Sequence, residues 1–258
     1  MATILFDSPV FGPVRSRRLG VSLGINLLPA DGKVCSFDCI YCECGLNTTH
    51  RPHERMPTRE AVREALRAKL LALHAEGVTP DNLTFAGNGE PTSHPHFAEI
   101  VADTRMLRDE LCPEAHISVL TNAMHIDKPA VFEALLSVET PLLKLDTVDI
   151  DYIRRVDRPQ KPIDLAAQLE RMKAFHGHAV IQTMFLEGIW EGESVGNTSE
   201  RYVEPWLEAL HTIGPKFVTI YTIDRETPAK GLKKAAPETL DAIAERVRAL
   251  GLPCQVSY

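Results

Sequence analysis

The feature that most constrains this chain is the run of residues 35–42, which reads Cys-Ser-Phe-Asp-Cys-Ile-Tyr-Cys. Its thiols stand at Cys35, Cys39 and Cys42, so one short loop can turn all three sulfur atoms toward the same point. Thiolates in such an arrangement are ligands for iron–sulfur clusters and for zinc. We interpret the run as an iron–sulfur loop.

A zinc site is the alternative. A closed structural zinc site takes four ligands, often two Cys pairs or a Cys pair with a His pair, and no second pair appears in the sequence. Cys44 could complete a four-thiolate site, although only one residue separates it from Cys42. A non-catalytic zinc-binding scaffold therefore remains a hypothesis of another class.

The pattern C-x3-C-x2-C, with Tyr41 just before its last cysteine, resembles the signature of the radical S-adenosylmethionine (SAM) superfamily. The resemblance implies a [4Fe–4S] cluster held by Cys35, Cys39 and Cys42, its fourth iron open to the amino and carboxylate groups of SAM. It places the adenosine of SAM near Tyr41. It also implies that one electron, from a donor such as flavodoxin or ferredoxin, cleaves SAM to methionine and a 5′-deoxyadenosyl radical, which takes hydrogen from a substrate.

Bulk composition limits the other function classes. A chain of 258 residues with 44% hydrophobic content can bury a full core, and we expect one domain over residues 1–258. The formal charge of −7 leaves nucleic acid possible but not favoured as a partner. Six cysteines, three of them clustered, fit metal ligation in a reducing compartment. Without an apolar run near the ~20 residues that span a bilayer, we expect a cytoplasmic protein with no membrane contact.

The remaining sequence alternates short apolar segments with amphipathic ones. This alternation predicts parallel βα units, and six of them give a partial (βα)6 TIM-like barrel with outer helices, which the resemblance also implies. Residues 1–20 form a Gly- and Arg-rich lead-in, and residues 187–199 form a long loop that could act as a lid. The predicted strands are 21–28, 82–86, 117–120, 142–145, 180–185, 217–223 and a short 254–257, and the predicted helices are 58–76, 97–111, 129–137, 163–175, 200–213 and 237–250.

The loop after the second predicted strand carries two glycines and a carboxylate. Gly87 and Gly89 allow the backbone to approach a ligand closely, while Glu90 or the exposed carbonyl groups can accept hydrogen bonds from an ammonium group. The segment resembles the Gly-Gly-Glu segment of the family, which binds the methionine amino group of SAM, although Asn88 interrupts the glycine pair here.

Polar residues also end the next two strands. Thr121 and Asn122 end the third, and Lys144 and Asp146 end the fourth, where alternation puts the last two side chains on the same side. A charged pair inside a barrel indicates either a structural ion pair or a bound polar group. By comparison with activating enzymes of glycyl-radical proteins, Asp146 would accept from a ribose hydroxyl and Lys144 would pair with a carboxylate.

Four residues are candidates for substrate contact. Arg155 and Arg158 belong to a run of mixed charge that is also typical of a solvated loop, and arginine suits a carboxylate or phosphate. Gln182 lies in the fifth strand and Tyr221 near the end of the sixth.

Three features make the chain look most like the radical SAM subgroup related to the tRNA wyosine-synthesis enzyme. They are the Ser-Arg-Arg-Leu-Gly run of residues 16–20, the Asn-Gly-Glu-Pro segment and the Lys-Leu-Asp strand end. The wyosine enzyme uses a second cluster held by upstream cysteines, and no cysteine precedes Cys35. A wyosine-type tRNA-modifying enzyme and a glycyl-radical-activating enzyme are therefore both alternatives.

Overall fold

The computed structural model describes residues 4–16 and 20–258; residues 17–19 of the Ser-Arg-Arg-Leu-Gly run lie outside this part. Its main sheet has eight strands in the order β1-β2-β3-β4-β5-β6-β9-β11. All neighbours are parallel except β1 and β2. These strands are β1 Val10–Ser16, β2 Gly20–Ile25, β3 Asn82–Phe85, β4 His116–Thr121, β5 Thr140–Lys144, β6 Val180–Met184, β9 Phe217–Tyr221 and β11 Cys254–Ser257.

Helices follow the parallel strands as predicted. The described helices are α1 Arg59–Ala75, α2 Phe97–Leu111, α3 Pro129–Leu136, the single turn α4 Ile150–Tyr152, α5 Leu165–Lys173, α6 Glu200–Ile213 and α7 Pro237–Ala249. A π-helical turn, Ile153–Asp157, continues α4. The α/β fold with a mostly parallel sheet is thus confirmed. None of the described helices is long and apolar enough to cross a membrane.

One face of the main sheet packs against the helices. Leu23, Leu83, Ile117 and Val218 on the strands share a buried core with apolar helix residues such as Leu66. The alternate strand residues point to the opposite face and are buried as well. The sheet therefore curves around that second face. Among the described strands its ends are β1 and β11.

Two segments differ from the sequence-based expectation. The lead-in contains β1, which pairs antiparallel with β2, and the ring of Phe11 lies where a side chain at Gly24 would stand. The expected loop 187–199 instead contains strands of a second small sheet, ordered β10-β7-β8, and its role as a lid stays a prediction. These strands are β7 Leu186–Trp190, β8 Glu193–Ser194 and β10 Leu232–Lys234.

Candidate active site

The cysteine loop follows β2 and is shaped by Asn47, which lies outside the cysteine motif. The Asn47 side chain accepts from the Cys35 amide at 3.2 Å and donates to the carbonyl oxygens of Cys35 and Phe37 at 3.2 and 3.0 Å. Asp38 in turn accepts from the Asn47 amide at 2.8 Å. These bonds fix the backbone on both sides of Cys35.

A buried lysine stands beside this loop. The ammonium of Lys33 donates to the Gly45 carbonyl oxygen at 2.7 Å and pairs with Asp38 at 3.5 Å, with 1% of its side chain exposed. Burial lowers the pKa of Lys33, but the neighbouring Cys42, Cys35 and Cys39 raise it more, and the net shift is upward. No sequence pattern points to Lys33, since a single lysine before a cysteine is not a recognisable motif.

The thiols differ in how readily they lose a proton. Burial raises the pKa of Cys35 to about 12 and the pKa of Cys39 well above its ordinary value. A hydrogen bond with Cys44 lowers the pKa of Cys42 to about 6 against the opposing effect of burial, and Lys33 adds to that lowering. Cys42 raises the pKa of Cys35, and Cys42 and Cys35 both raise the pKa of Cys39, so Cys42 interacts electrostatically with both other motif thiols. This donor set fits an iron–sulfur cluster held by three thiolates.

The Gly87–Glu90 segment lies directly against the cysteine loop. Gly89 and Val34 form a parallel bridge, and a Cβ at Gly89 would stand 1.9 Å from the Val34 carbonyl oxygen. A Cβ at Gly87 would stand 2.5 Å from Oδ1 of Asn26. Both glycines also have positive φ, +143° at Gly87 and +136° at Gly89. Only glycine allows this close approach.

Asn88, which interrupts the glycine pair, anchors the N-terminal segment to this region. Its side chain accepts from the Phe6 amide at 2.8 Å and donates to the carbonyl oxygens of Phe6 and Pro29 at 2.9 and 2.8 Å. The Asn88 side chain is fully buried. Sequence reasoning treated it only as a departure from the family pattern.

Glu90, Thr121 and Asn122 come together, and they bond to one another. The buried Glu90 carboxylate accepts from the Thr121 hydroxyl at 2.7 Å and from the Asn122 amide at 2.7 Å. It also accepts from the amide and hydroxyl of Thr92 at 3.1 and 2.6 Å. Burial raises the pKa of Glu90, while these four donors act against the rise. The carboxylate thus connects the glycine segment to the end of β4.

Lys144 and Asp146 meet Tyr41 and a residue that sequence reasoning missed, Asp157. The Lys144 ammonium donates to the hydroxyl of Tyr41, to Asp146 and, at 2.9 Å, to Asp157. The Tyr41 hydroxyl donates to Asp146. Asp157 is 2% exposed, so the expected solvated loop of mixed charge is wrong for this residue, because the π-helical turn directs it inward.

Two carboxylates and one ammonium in a buried site cannot all keep ordinary pKa values. Burial raises the pKa of Asp157 to about 7, against the lowering effect of Lys144. Burial lowers the pKa of Lys144, but Asp146 and Asp157 outweigh it and the net shift is well upward. Lys144 is therefore held as an ammonium. A small cleft of about 20 Å³ runs between Asn122, Lys144, Asp146 and Asp157.

The substrate candidates lie around this network at different depths. Gln182 is buried and pairs in register with Lys144. Tyr221 is half-buried at the end of β9, close enough to Lys144 to affect its pKa. Arg155 and Arg158 are half-buried near the second sheet. Arg155 pairs with Glu193 at 2.6 Å. The guanidinium of Arg158 lies 5.6 Å from the ring centre of Trp190.

Relatives of known sequence extend over most of the chain. It is 32% identical over 234 residues to a UPF0026 protein of Helicobacter pylori, which covers 90% of this chain and 71% of that protein. It is 36% identical over 197 residues to a UPF0026 protein of Methanocaldococcus jannaschii, which covers 74% of this chain and 58% of that protein. A GTP 3′,8-cyclase of Mycobacterium marinum is 28% identical over 177 residues, covering 67% of this chain and 45% of the cyclase.

Solved structures share the fold at low identity. A radical SAM methyltransferase from Sphaerobacter thermophilus matches with a TM-score of 0.68 at 16% identity, covering 92% of this chain and 66% of that one. TYW1 with a lysine-pyruvate adduct bound matches with a TM-score of 0.63 at 14% identity, covering 88% and 73%.

The family model described as the radical SAM superfamily matches residues 31–194, which include the cysteine loop, the glycine segment and the Lys144 network. That superfamily uses SAM and an iron–sulfur cluster, and its enzymes need a reductant and a substrate. The chain belongs to the radical SAM superfamily, with the UPF0026 proteins among its relatives, and is an enzyme of the radical SAM type.

Proposed function

We propose that this enzyme reductively cleaves SAM at a [4Fe–4S] cluster held by Cys35, Cys39 and Cys42, and abstracts hydrogen from a substrate. The observation that carries the proposal is that the cysteine loop contacts both the glycine segment, through the bridge between Val34 and Gly89, and the Lys144 network, through Tyr41. When bound, the cluster supplies an electron to SAM, which gives methionine and a 5′-deoxyadenosyl radical. We further propose a cytoplasmic setting and flavodoxin or ferredoxin as electron donor.

In this proposal the glycine segment receives the amino group of SAM through main-chain carbonyl groups. The Glu90 side chain already accepts four hydrogen bonds inside the protein, so its part is to hold the segment in shape. Thr121 and Asn122 act with it, since both donate to the same carboxylate. Main-chain oxygens near Gly87 and Gly89 are approachable because neither residue carries a Cβ.

The Lys144 network receives the rest of SAM. Lys144 has two carboxylate partners, so it can exchange one of them for the carboxylate of SAM while the other keeps its charge balanced. Asp146 would then accept from a ribose hydroxyl, and the ring of Tyr41 would border the adenosine. Burial of these groups strengthens each polar contact and excludes water from the reacting atoms.

We propose a small substrate with a carboxylate or phosphate group. Arg158 and Trp190 lie together beyond the buried network and offer a planar cation and an aromatic ring, while Arg155 is paired with Glu193. The arginines of α1 are less suited to a nucleic acid, because Arg59 and Arg67 are paired with Asp103 and Glu110 of α2. The wyosine-type and glycyl-radical-activating reactions stay predictions.

The lysine-pyruvate adduct named for TYW1 raises the question of an imine at Lys144. A lysine must be neutral to attack a carbonyl group. The raised pKa of Lys144, caused by Asp146 and Asp157 against burial, keeps its amine protonated. We therefore assign Lys144 to ion pairing with SAM and not to covalent chemistry.

The test is anaerobic reconstitution of the full chain, followed by iron and sulfide analysis, electron paramagnetic resonance (EPR) spectroscopy, and assay of 5′-deoxyadenosine with dithionite and SAM. We expect about four irons and four sulfides per chain and nucleoside formation that Cys39→Ala abolishes. Cys254→Ala is the matched control, since Cys254 lies on β11, and it should retain both. Binding of one zinc that requires Cys44, with no cluster formed, would overturn the proposal in favour of a scaffold.

A further inference from the structure

The face of the main sheet turned away from the helices carries two rows of polar side chains. Thr84, Ser118 and Thr140 are neighbours in register across β3, β4 and β5. Gln182, Thr219 and Gln255 are neighbours in register across β6, β9 and β11, and together with the first row they line the curved interior. The interior of an α/β barrel is ordinarily filled by branched apolar side chains, so these rows need a separate reason.

Two of these hydroxyls are buried without a hydrogen-bond partner among the described residues. Ser118 is fully buried and Thr219 is 1% exposed. Neither hydroxyl oxygen has a hydrogen-bond partner among the described residues. The Thr84 hydroxyl, by contrast, bonds to Ser22 at 2.6 Å and to Asn82 at 3.0 Å. A buried hydroxyl without a partner is costly. A polar molecule in the interior would remove that cost.

The space for such a molecule is present. A cavity of about 490 Å³, the lower cavity, opens at the amino ends of the strands. It lies at the opposite end of the sheet from Lys144, which is the last residue of β5. Thr219, two positions before Tyr221, lies on the wall of the lower cavity. The polar and aromatic residues that line this cavity include Asn82, His116, Thr140, Phe217, Thr219 and Gln255.

The lining indicates the chemistry of the occupant. Hydroxyl, amide and imidazole groups surround one aromatic ring, that of Phe217. Asp81 and Glu114 lie on the same wall as Lys216, so the residues described on this wall hold no excess of cations that would select an anion. Such a mixture suits a ligand with several hydroxyl groups and one face that packs on a ring. The volume of the lower cavity falls in the range of small-molecule sites, about 300–1,000 Å³.

We propose that the lower cavity is a second binding site, for an uncharged, hydroxyl-rich small molecule of monosaccharide to nucleoside size. The Thr219 hydroxyl supplies a hydrogen bond from the inner wall, Gln255 and Thr140 supply them nearer the opening, and Phe217 packs on the ligand. This site does not depend on the radical chemistry, since it shares no residue with the cysteine loop.

The test uses saturation-transfer NMR on the purified full chain with D-ribose, D-glucose and adenosine as probes. We expect binding of at least one probe at concentrations up to about 10 mM. Thr219→Val keeps the side-chain shape and removes one hydroxyl, so it should weaken binding at least about tenfold. Gln255→Leu, on an exposed edge position, should weaken it too and carries little risk of misfolding.

Asp146→Asn separates this site from the SAM site, because adenosine bound there would contact Asp146 through its ribose. Binding that Asp146→Asn leaves intact and Thr219→Val reduces supports the proposal. No saturation transfer to any of the three probes from a folded wild-type chain would overturn it. Equal binding by wild type, Thr219→Val and Gln255→Leu would also overturn it.

Discussion

Replacement of Glu90 by Gln separates a structural role of this carboxylate from a direct contact with SAM. The two oxygens of Glu90 accept from two main-chain donors with fixed positions, the amides of Thr92 and Asn122. A glutamine side chain keeps one oxygen and presents an NH2 group in place of the other. One of the two amides must then face a donor in a site that is 2% exposed.

The less costly orientation places the NH2 group at the position that faces Asn122. The bonds from Thr92 and from Thr121 to the other oxygen are then kept. The loss is one bond to a charged acceptor at 2.7 Å, together with an unsatisfied buried amide. Bonds to charged groups contribute about 1.5–3 kcal/mol and an unsatisfied buried donor costs about 1–3 kcal/mol. Because burial raises the pKa of Glu90, this carboxylate is protonated more readily than an exposed one. We therefore expect a total loss of unfolding free energy near the lower end of these ranges, about 2–3 kcal/mol.

The assay is urea unfolding of the chain without SAM or cluster in reducing buffer, monitored by far-UV circular dichroism. Glu90→Gln should lower the free energy of unfolding by the amount above without a change in the denaturant slope. Glu64→Gln, an exposed position on α1, is the matched control and should change it by less than about 0.5 kcal/mol.

The reasoning is refuted if Glu90→Gln unfolds at the same urea concentration as the wild type and loses only affinity for SAM. In that case the carboxylate would bind the ligand directly, and the four protein donors around it would contribute nothing to the stability of the folded chain. A loss in both measurements supports the structural role, since a distorted glycine segment also binds SAM less well.

Two further changes test other parts of the site. Gly89→Ala places a Cβ 1.9 Å from the Val34 carbonyl oxygen, so urea unfolding should show a free energy of unfolding lower by at least about 3 kcal/mol. The control is Gly77→Ala, also at positive φ but with nothing within 4 Å of the added Cβ, which should lower it by about 1 kcal/mol. Equal losses in the two variants would contradict the predicted clash. Burial raises the pKa of Asp157 in the folded chain to about 7. Between about pH 4 and pH 7 the folded chain therefore keeps a proton on Asp157 that the unfolded chain has lost. The free energy of unfolding should fall by roughly 2–4 kcal/mol as the pH rises through that window. Asp157→Asn should flatten this dependence while Lys144 keeps Asp146 as its partner, and an unchanged pH profile would show that another group titrates.

Helix and strand positions could be predicted because their apolar residues recur with the period of each element. In α1 the buried residues are Val62, Leu66, Leu70 and Leu73, a spacing that a sequence displays directly. β1 could not be predicted in this way, since Gly12 and Pro13 interrupt its alternation. Its position depends on the pairing with β2, which no local pattern records.

The residues of the candidate site likewise fall into those that a local sequence pattern predicts and those that only the folded chain brings together. Cys35, Cys39 and Cys42 form a local motif, and the Lys144 and Asp146 pair follows from strand alternation. Two other features depend on the folded chain. Asn47 bonds to a loop ten and twelve residues away. Asp157 sits among charged neighbours that suggest solvent, and only the π-helical turn makes it buried.

The turn Ile153–Asp157 and the residue after it connect the cysteine loop with the Lys144 network and with Arg158. The amide of Asp38 donates to the carbonyl oxygens of Asp157 and Arg158 at 3.1 and 3.0 Å, and the amide of Ile40 donates to that of Val156 at 3.0 Å. These bonds join the turn to the cysteine loop through the main chain.

The same turn therefore fixes two side chains relative to the cysteines. Asp157 points inward and bonds to Lys144, while Arg158 adopts φ of +52°, an uncommon conformation for a residue with a side chain, and its guanidinium lies over Trp190. Such a conformation persists where surrounding contacts require it, and the bond from Asp38 to the Arg158 carbonyl oxygen is one such contact. Backbone geometry thus sets the distance from the cysteine loop to Arg158, the arginine that we propose for substrate contact. The fold holds Asp157 and Arg158 in these positions even though their sequence resembles a solvated loop.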